Sequence, residues 1–287
     1  MIKINGFLNI NKPDGMTSQQ VVSKIKHKLG VKKVGHMGTL DPAGAGVLPI
    51  AIGKATKLFD SMQDKTKIYR AIFRFGIETD TLDAEGVVTK RSEVIPSLES
   101  IQKETSKFIG VIEQLPPKYS AKCINGKRAY ELARQNIDFE LKTKSVEVIE
   151  FEVINQVDNN SYLFEIECTS GTYIRSLCRD LAYALNSVAY MPLIIRIKTG
   201  KFDIKDSVSL TEFLESQYPA IYVKPMLDYI DYPILALDEN EYFKVSNGVI
   251  IDYLSKNGKY CLTYHNELFS IGNINDNRLK MEIYLND

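Results

Sequence analysis

The stretch 146-VEVIEFEVINQVDNNSYLFEIEC-168 decides the fold. Residues 146–154 and 162–168 read as two strands; in the second, Phe164, Ile166 and Cys168 face one way and Glu165 and Glu167 the other. The polar run NQVDNNS, residues 155–161, reads as a hairpin-like loop between them. Upstream, 69-YRAIFRF-75 sets Tyr69, Ala71, Phe73 and Phe75 against Arg70, Ile72 and Arg74. The N-terminal MIKINGFLNINKPDG reads as a first strand entering a turn.

Three helices interrupt these strands. One is expected from about Ser18 to Leu29, with Thr17 and Gln20 at capping-box spacing and Val21, Val22, Ile25 and Leu29 inward. A second begins near Ser97, turns Leu98, Ile101, Thr105 and Phe108 inward, and stops at Gly110. A third starts near Gly171 or Thr172 with Ile174, Leu177, Cys178, Leu181 and Leu185 as its stripe. Strands mixed with a few helices, without a regular βα repeat, indicate an α+β fold with a large mixed sheet. Three prolines between 218 and 233 mark a boundary, and the acidic tail from about 234 reads as a small all-β module.

The 287 residues have room for one large domain and a small one, and 44% hydrophobic with 25% charged content is ordinary for a globular chain. No apolar run is long enough to cross a bilayer, and the N-terminus is too polar for a signal sequence. Cys123, Cys168, Cys178 and Cys261, with three scattered histidines, lack metal-ligand spacing, so no metal and a reduced, cytoplasmic setting are expected. The net charge of zero hides segregation. Residues 1–60 carry nine Lys against three Asp, residues 118–144 seven basic side chains against three acidic, and residues 203–287 seven against fourteen. A polyanion responds to the local patch, and a solvated basic surface accounts for the same charges equally well.

One further stretch, 34-VGHMGTLDPAGAGVLP-49, holds a single acid, Asp41, before Pro42 and among four glycines. Proline pushes Asp41 toward an extended backbone, and the glycines permit tight turns or close approach of a bulky ligand. An Asp-Pro pair among glycines also suits a plain turn. Phosphate-loop spacing is absent, which disfavours nucleoside triphosphates. A lone carboxylate can act chemically if a cation holds it, and Arg175 in the third helix is a candidate.

Four motifs carry a resemblance: NKPDGMTS (11–18), GHMGTLDPAGAGVLP (35–49), KIYRAIFRFGIETDTLDAEG (67–86) and SGTYIRSLCRDLA (170–182). With QLPPKYSAKCINGKRAYELAR (114–134) they span almost all of residues 5–202, and together they resemble the bacterial tRNA pseudouridine-55 synthases. The resemblance implies a mainly antiparallel sheet with flanking helices in a catalytic domain over 1–222, an RNA-contacting insertion at about 112–145, and a PUA-like β module over 223–287. It implies Asp41 as the catalytic aspartate, Arg175 as its partner, and Tyr69 as the tyrosine that packs on the target base and assists proton transfer. His36 matches the histidine beside the flipped-out nucleotide, Tyr173 a residue lining the nucleotide pocket, and Ile194 falls where the family usually has a leucine against the base. Taken alone, each of these side chains also suits ordinary packing or a surface pair.

The expected reaction isomerises uridine-55 in the TΨC loop after base flipping, with no cofactor. A covalent and a glycal route both stay open. Backbone contacts are expected from Lys24, Lys28, Lys32, Lys33, Lys122, Lys127 and Arg128. Cys123 stands where the family usually has Lys, and Ile195 and Ile197 replace polar residues, while Arg196, Gly200 and Phe202 are kept. The expected partner is the T-arm of tRNA, with no membrane and no obligate protein partner, the chain acting as a monomer. The competing reading is a non-catalytic tRNA-binding or tRNA-folding chaperone.

Overall fold

The computed structural model describes residues 4–62, 66–120, 122–124, 126–135 and 137–285. Strand β1 (Gly6–Lys12) leads to helix α1 (Ser18–Leu29), β2 (Val34–His36) and β3 (Gly44–Ile52). Next come β4 (Lys67–Phe75), β5 (Ile77–Thr79), β6 (Val88–Arg91), α2 (Leu98–Thr105) and β7 (Gly110–Gln114). An excursion through β8 (Cys123–Ile124), β9 (Lys127–Arg128) and α3 (Ala129–Arg134) returns to β10 (Lys144–Asp158) and β11 (Ser161–Cys168). Then follow α4 (Ile174–Ala184), β12 (Ala189–Thr199), β13 (Phe202–Asp203), β14 (Val208–Ser209) and α5 (Leu210–Glu215). The last part holds β15 (Ile234–Ala236), α6 (Glu239–Ser246), β16 (Ile251–Asp252), β17 (Gly258–Tyr264), β18 (Glu267–Asn275) and β19 (Arg278–Tyr284).

The large sheet runs β14-β1-β3-β12-β4-β11-β10-β7, with β2 on β3 and β13 on β12. Within this sheet only β1 with β14 and β3 with β12 pair in parallel among the described strands, so it is mixed and mainly antiparallel. One face packs Leu8, Ile10, Leu48 and Phe73 against α1, α2, α4 and α5. The other face packs Phe7, Val47 and Ala51 against Cys261 and Ile271 of a second, five-stranded sheet, β15-β17-β18-β19-β16. Because both faces of β3 are covered, its sequence is almost continuously apolar rather than alternating. Phe73, Phe151 and Phe164 meet near the middle of the first core. Each such side chain contributes about 1.5–3 kcal/mol of burial.

Helix α1 has the expected bounds, and its Thr17–Gln20 capping box is complete. The other expectations need correction at their ends. The hairpin loop shrinks to Asn159–Asn160, because β10 runs on to Asp158. Register shifts along β10 absorb the extra polar residues, which extend past the core into solvent. Leu98 is exposed rather than inward, and α2 tightens into a 3₁₀ turn at Ser106–Phe108. Helix α4 starts at Ile174, since Gly171 takes φ +91° and Tyr173 is still extended. The tail is not all β: Asp238 and Glu241 form a capping box that starts α6.

The segment before β15 is packed rather than loose. Phe7 and Lys224 exchange two backbone hydrogen bonds, at 3.0 and 2.8 Å. Tyr229 stacks on Phe202, with ring centroids 4.1 Å apart.

Candidate active site

The loop 37–43 leaves β2 and enters β3 beside the point where β3 and β12 run in parallel, Ile194 opposite Gly44 and Arg196 opposite Gly46. Four anchors fix it. Arg196 is 1% exposed; its Nε donates to the Val47 carbonyl at 2.7 Å, and its Nη2 to the Gly38 carbonyl at 3.2 Å. The Ser18 hydroxyl donates to the Leu40 carbonyl and accepts from the Leu40 N–H, both at 3.0 Å. The buried Lys12 ammonium donates to the Pro42 carbonyl at 3.2 Å, and the Gly15 N–H to the same oxygen at 2.9 Å. The Gly44 N–H donates to the Asp41 carbonyl at 2.9 Å. A loop whose backbone groups are satisfied in this way holds its side chain in one place.

That side chain is Asp41, 49% exposed, which accepts a 2.6 Å bond from the 6% exposed Arg175 guanidinium. The difference matters: the carboxylate opens into a cleft while its partner is sunk in the protein. Arg175 Nη2 also donates to the Tyr119 carbonyl at 3.0 Å. Its Nη1 donates to the Thr81 carbonyl at 2.9 Å and to the buried Asp83 carboxylate at 3.2 Å. The planar guanidinium thus spans four acceptors that a point charge could not reach together. Two carboxylates thus face one guanidinium, and only Asp41 opens into the cleft, where Lys67 and Arg196 also line the wall.

The cleft has a volume of about 390 Å³, and Asp41, Tyr69, Tyr173, Arg175, Ile194 and Arg196 all line it. That lies in the ~300–1,000 Å³ range of sites for single small ligands. Tyr69 projects from β4 next to Arg196 of β12, its register partner. Burial pushes the Tyr69 phenol up from its ordinary value, only partly offset by the Arg196 guanidinium, so it is a neutral hydroxyl at pH 7. Tyr173 precedes α4, with its N–H donating to the Gln114 side chain at 2.7 Å and its carbonyl accepting from it at 3.1 Å.

Five of the six expected site residues therefore share one cleft. His36 differs: it lines a neighbouring hollow with Gln19, Gly35, Ala51, Thr56 and Phe59, and Phe59 forms a wall common to both cavities. Burial, followed by the Arg196 guanidinium, lowers the His36 pKa, and its Nδ1 has no hydrogen-bond partner among the described residues. Of the backbone candidates, Lys24, Lys32 and Lys33 are exposed and Lys28 is half-buried. Lys122 Nζ donates to the Lys142 carbonyl at 2.9 Å, and Cys123 beside it is exposed. The side chains of Lys127 and Arg128 lie outside the described residues.

Sequence reasoning missed Arg196, Lys12 and Asp83 as parts of this site. Period-2 alternation carries the signal for two of them. Arg196 shares a strand face with cleft-lining Ile194, and Lys12 shares one with the core residues Leu8 and Ile10. A charge at such an inward position must find buried partners.

Residues 26–174 match the family described as TruB family pseudouridylate synthase (N terminal domain). The chain is 42% identical over 257 residues to the tRNA pseudouridine synthase B of Clostridium kluyveri, covering 88% of each. It is 38% identical over 278 residues to that of Lactobacillus acidophilus, covering 93% of this chain and 94% of the relative. Its fold matches a chain in the structure of an H/ACA RNP bound to a substrate RNA containing 2′-deoxyuridine. There the TM-score is 0.75 at 22% identity, over 98% of this chain and 85% of the other.

Proposed function

This chain belongs to the TruB family of pseudouridylate synthases and forms pseudouridine in tRNA, and we propose that its target is uridine-55 of the TΨC loop, with Asp41 as the essential catalytic group. The observation that carries the assignment is the Asp41–Arg175 pair, 134 residues apart in sequence and 2.6 Å apart in space, at the floor of a cleft sized for one nucleotide. A stacked uridine hides its glycosidic bond, so the base must first leave the stack, at a cost of a few kcal/mol. Basic side chains on the phosphates offset that cost.

The isomerisation breaks N1–C1′ and forms C5–C1′. The C5 proton is lost and N1 ends protonated, so atoms and charge balance without an oxidant or a leaving group. Asp41 meets the sugar–base junction, and Arg175 pairs with it and sets its direction. Tyr69, Tyr173 and Ile194 enclose the uracil so that it turns without escaping. As a neutral phenol, Tyr69 assists removal of the C5 proton by hydrogen bonding rather than as a standing phenolate. His36, in the adjoining hollow, contacts the RNA next to the flipped nucleotide. Residues 1–222 act as the catalytic unit, residues 112–145 contact the T-arm, and residues 223–287 assist as a PUA-like module. The protein acts as a cytoplasmic monomer without an obligate protein partner. A non-catalytic chaperone would need the basic surfaces but not a carboxylate held open to a cleft by a buried guanidinium.

Purified protein incubated with a T-arm stem-loop should convert its uridine to pseudouridine, read by mass spectrometry after chemical labelling. Asp41→Asn should abolish turnover while keeping stem-loop affinity within a few-fold. Product formation by that variant at a normal rate contradicts the assignment.

A further inference from the structure

The excursion leaves β7, the last strand of the large sheet, and returns through its neighbour β10, since Gln114 pairs directly with Lys144. Its first arm, residues 114–120, is tied to the body through few groups, and they converge on one place. The Gln114 side chain exchanges two hydrogen bonds with the Tyr173 backbone. The Leu115 carbonyl accepts from the Ser176 hydroxyl at 2.8 Å and from Arg179 Nη2 at 3.0 Å. The Tyr119 carbonyl accepts from Arg175 Nη2 at 3.0 Å, and the Tyr119 hydroxyl donates to Asp80 Oδ2 at 3.3 Å. Tyr173, Arg175, Ser176 and Arg179 all lie on the first turns of α4 or immediately before it.

Arg175 is therefore a joint between three segments. One nitrogen is shared by the Asp41 carboxylate and the Tyr119 carbonyl, and the other by the Thr81 carbonyl and the Asp83 carboxylate. Tyr119 spans the joint, because its hydroxyl reaches Asp80 in the same turn that holds Thr81 and Asp83. Any displacement of the arm changes what Nη2 shares with Asp41. Next to Tyr119, the buried Ser120 hydroxyl has no partner among the described residues.

We infer that Tyr119 is a positioning residue: its paired ties to Arg175 and Asp80 transmit the seating of RNA on the excursion to the Arg175 hold on Asp41. The inference rests on the proposed function, because it concerns the chemical step at Asp41. RNA that seats the excursion sets the Arg175–Asp41 geometry, and RNA that fails to seat it meets a misaligned carboxylate. Grip and chemistry are then coupled without direct contact between Tyr119 and the reacting nucleotide.

Tyr119→Phe tests this, since it removes the hydroxyl tie and leaves the ring and the carbonyl. Wild type and variant are compared by stem-loop affinity, by single-turnover rate at saturating RNA and by thermal midpoint. The expected result is a rate about tenfold lower, with affinity changed less than about twofold and the thermal midpoint little altered. A purely structural role would instead lower affinity and the thermal midpoint, and that pattern overturns the inference. So does a wild-type single-turnover rate in the variant. If the wild-type protein makes no pseudouridine in the same assay, the functional reading fails first and takes this inference with it, which separates the two failures.

Discussion

Lys12 is the residue where burial and charge conflict most openly. Its side chain has no solvent exposure, and its ammonium donates to the Pro13, Met16 and Pro42 carbonyls at 2.8, 2.5 and 3.2 Å. Burial lowers its pKa to about 8, against the opposing pull of Asp14 and Asp41. The unfolded chain keeps this proton to about pH 10.4. Between about 8 and that value the unfolded state binds more protons, so the contribution of this group to stability rises with pH. The grip on the loop moves the other way, because a neutral amine has two donors for three carbonyls. The single-turnover rate should therefore fall on the alkaline side with an apparent pKa near 8, while the thermal midpoint shows no loss from this group over the same window. A rate that stays flat to about pH 10 would contradict the loop-holding role. Sequence motifs supplied Asp41, Tyr69, Tyr173, Arg175 and Ile194, all of which reach the cleft. They did not supply Lys12 or Arg196: alternation puts both on inward faces, but the carbonyls that make a buried charge tolerable there come together only in the fold. The resemblance sets His36 beside the flipped nucleotide, and the ring lies in the hollow that adjoins the cleft across Phe59.

At the scale of elements, the contact between β3 and β12 carries the site. Gly46 takes φ +99°, and a Cβ there would stand 2.3 Å from the Arg196 carbonyl and 2.8 Å from its nitrogen. Both the backbone angle and the clash are backbone constraints that no rotamer relieves. Gly46→Ala should cost roughly 2–4 kcal/mol by urea denaturation. It should also slow turnover by pushing Arg196 away from the Gly38 and Val47 carbonyls. Gly35→Ala is the control: no atom lies within 4 Å of its Cβ, and its φ is ordinary, so a change within about 0.5 kcal/mol is expected. Equal effects of the two substitutions would show that close approach at Gly46 is not what the site depends on. The strands were legible because alternation survives wherever one face is wet, as in β4 and β11. Strand β3 was not legible as a strand, since cover on both faces erases alternation and its glycines read as turns. Element ends were lost where a bulge or a positive φ, rather than composition, decides them, as along β10 and at Gly171.

Across the whole molecule, charge is distributed against a net value of zero. The first 60 residues carry nine Lys against three Asp, and residues 203–287 carry seven basic against fourteen acidic side chains. The acidic part holds the five-stranded sheet, which covers one face of the large sheet through Cys261 and Ile271 against Phe7 and Val47. The basic part lies close to the cleft along the chain. Lys32 and Lys33 are exposed, and β2 runs from the next residue straight into the loop that bears Asp41. Four extended residues from Lys33 to Met37 span only about 13 Å, which is the ground for the proposal that both lysines meet phosphates flanking a nucleotide in the cleft. Such contacts release counterions, and each one lost lowers the slope of log affinity against log salt by about 0.7–0.9. The double variant Lys32→Gln, Lys33→Gln should therefore flatten the salt dependence of T-arm binding by about 1–2 and weaken binding most at low salt. The single-turnover rate at saturating RNA should stay near wild type, because neither lysine lines the cleft. An unchanged slope would move the phosphate-binding surface away from this end of the protein. The excursion at residues 115–143 would then be left as the basic element that holds the RNA.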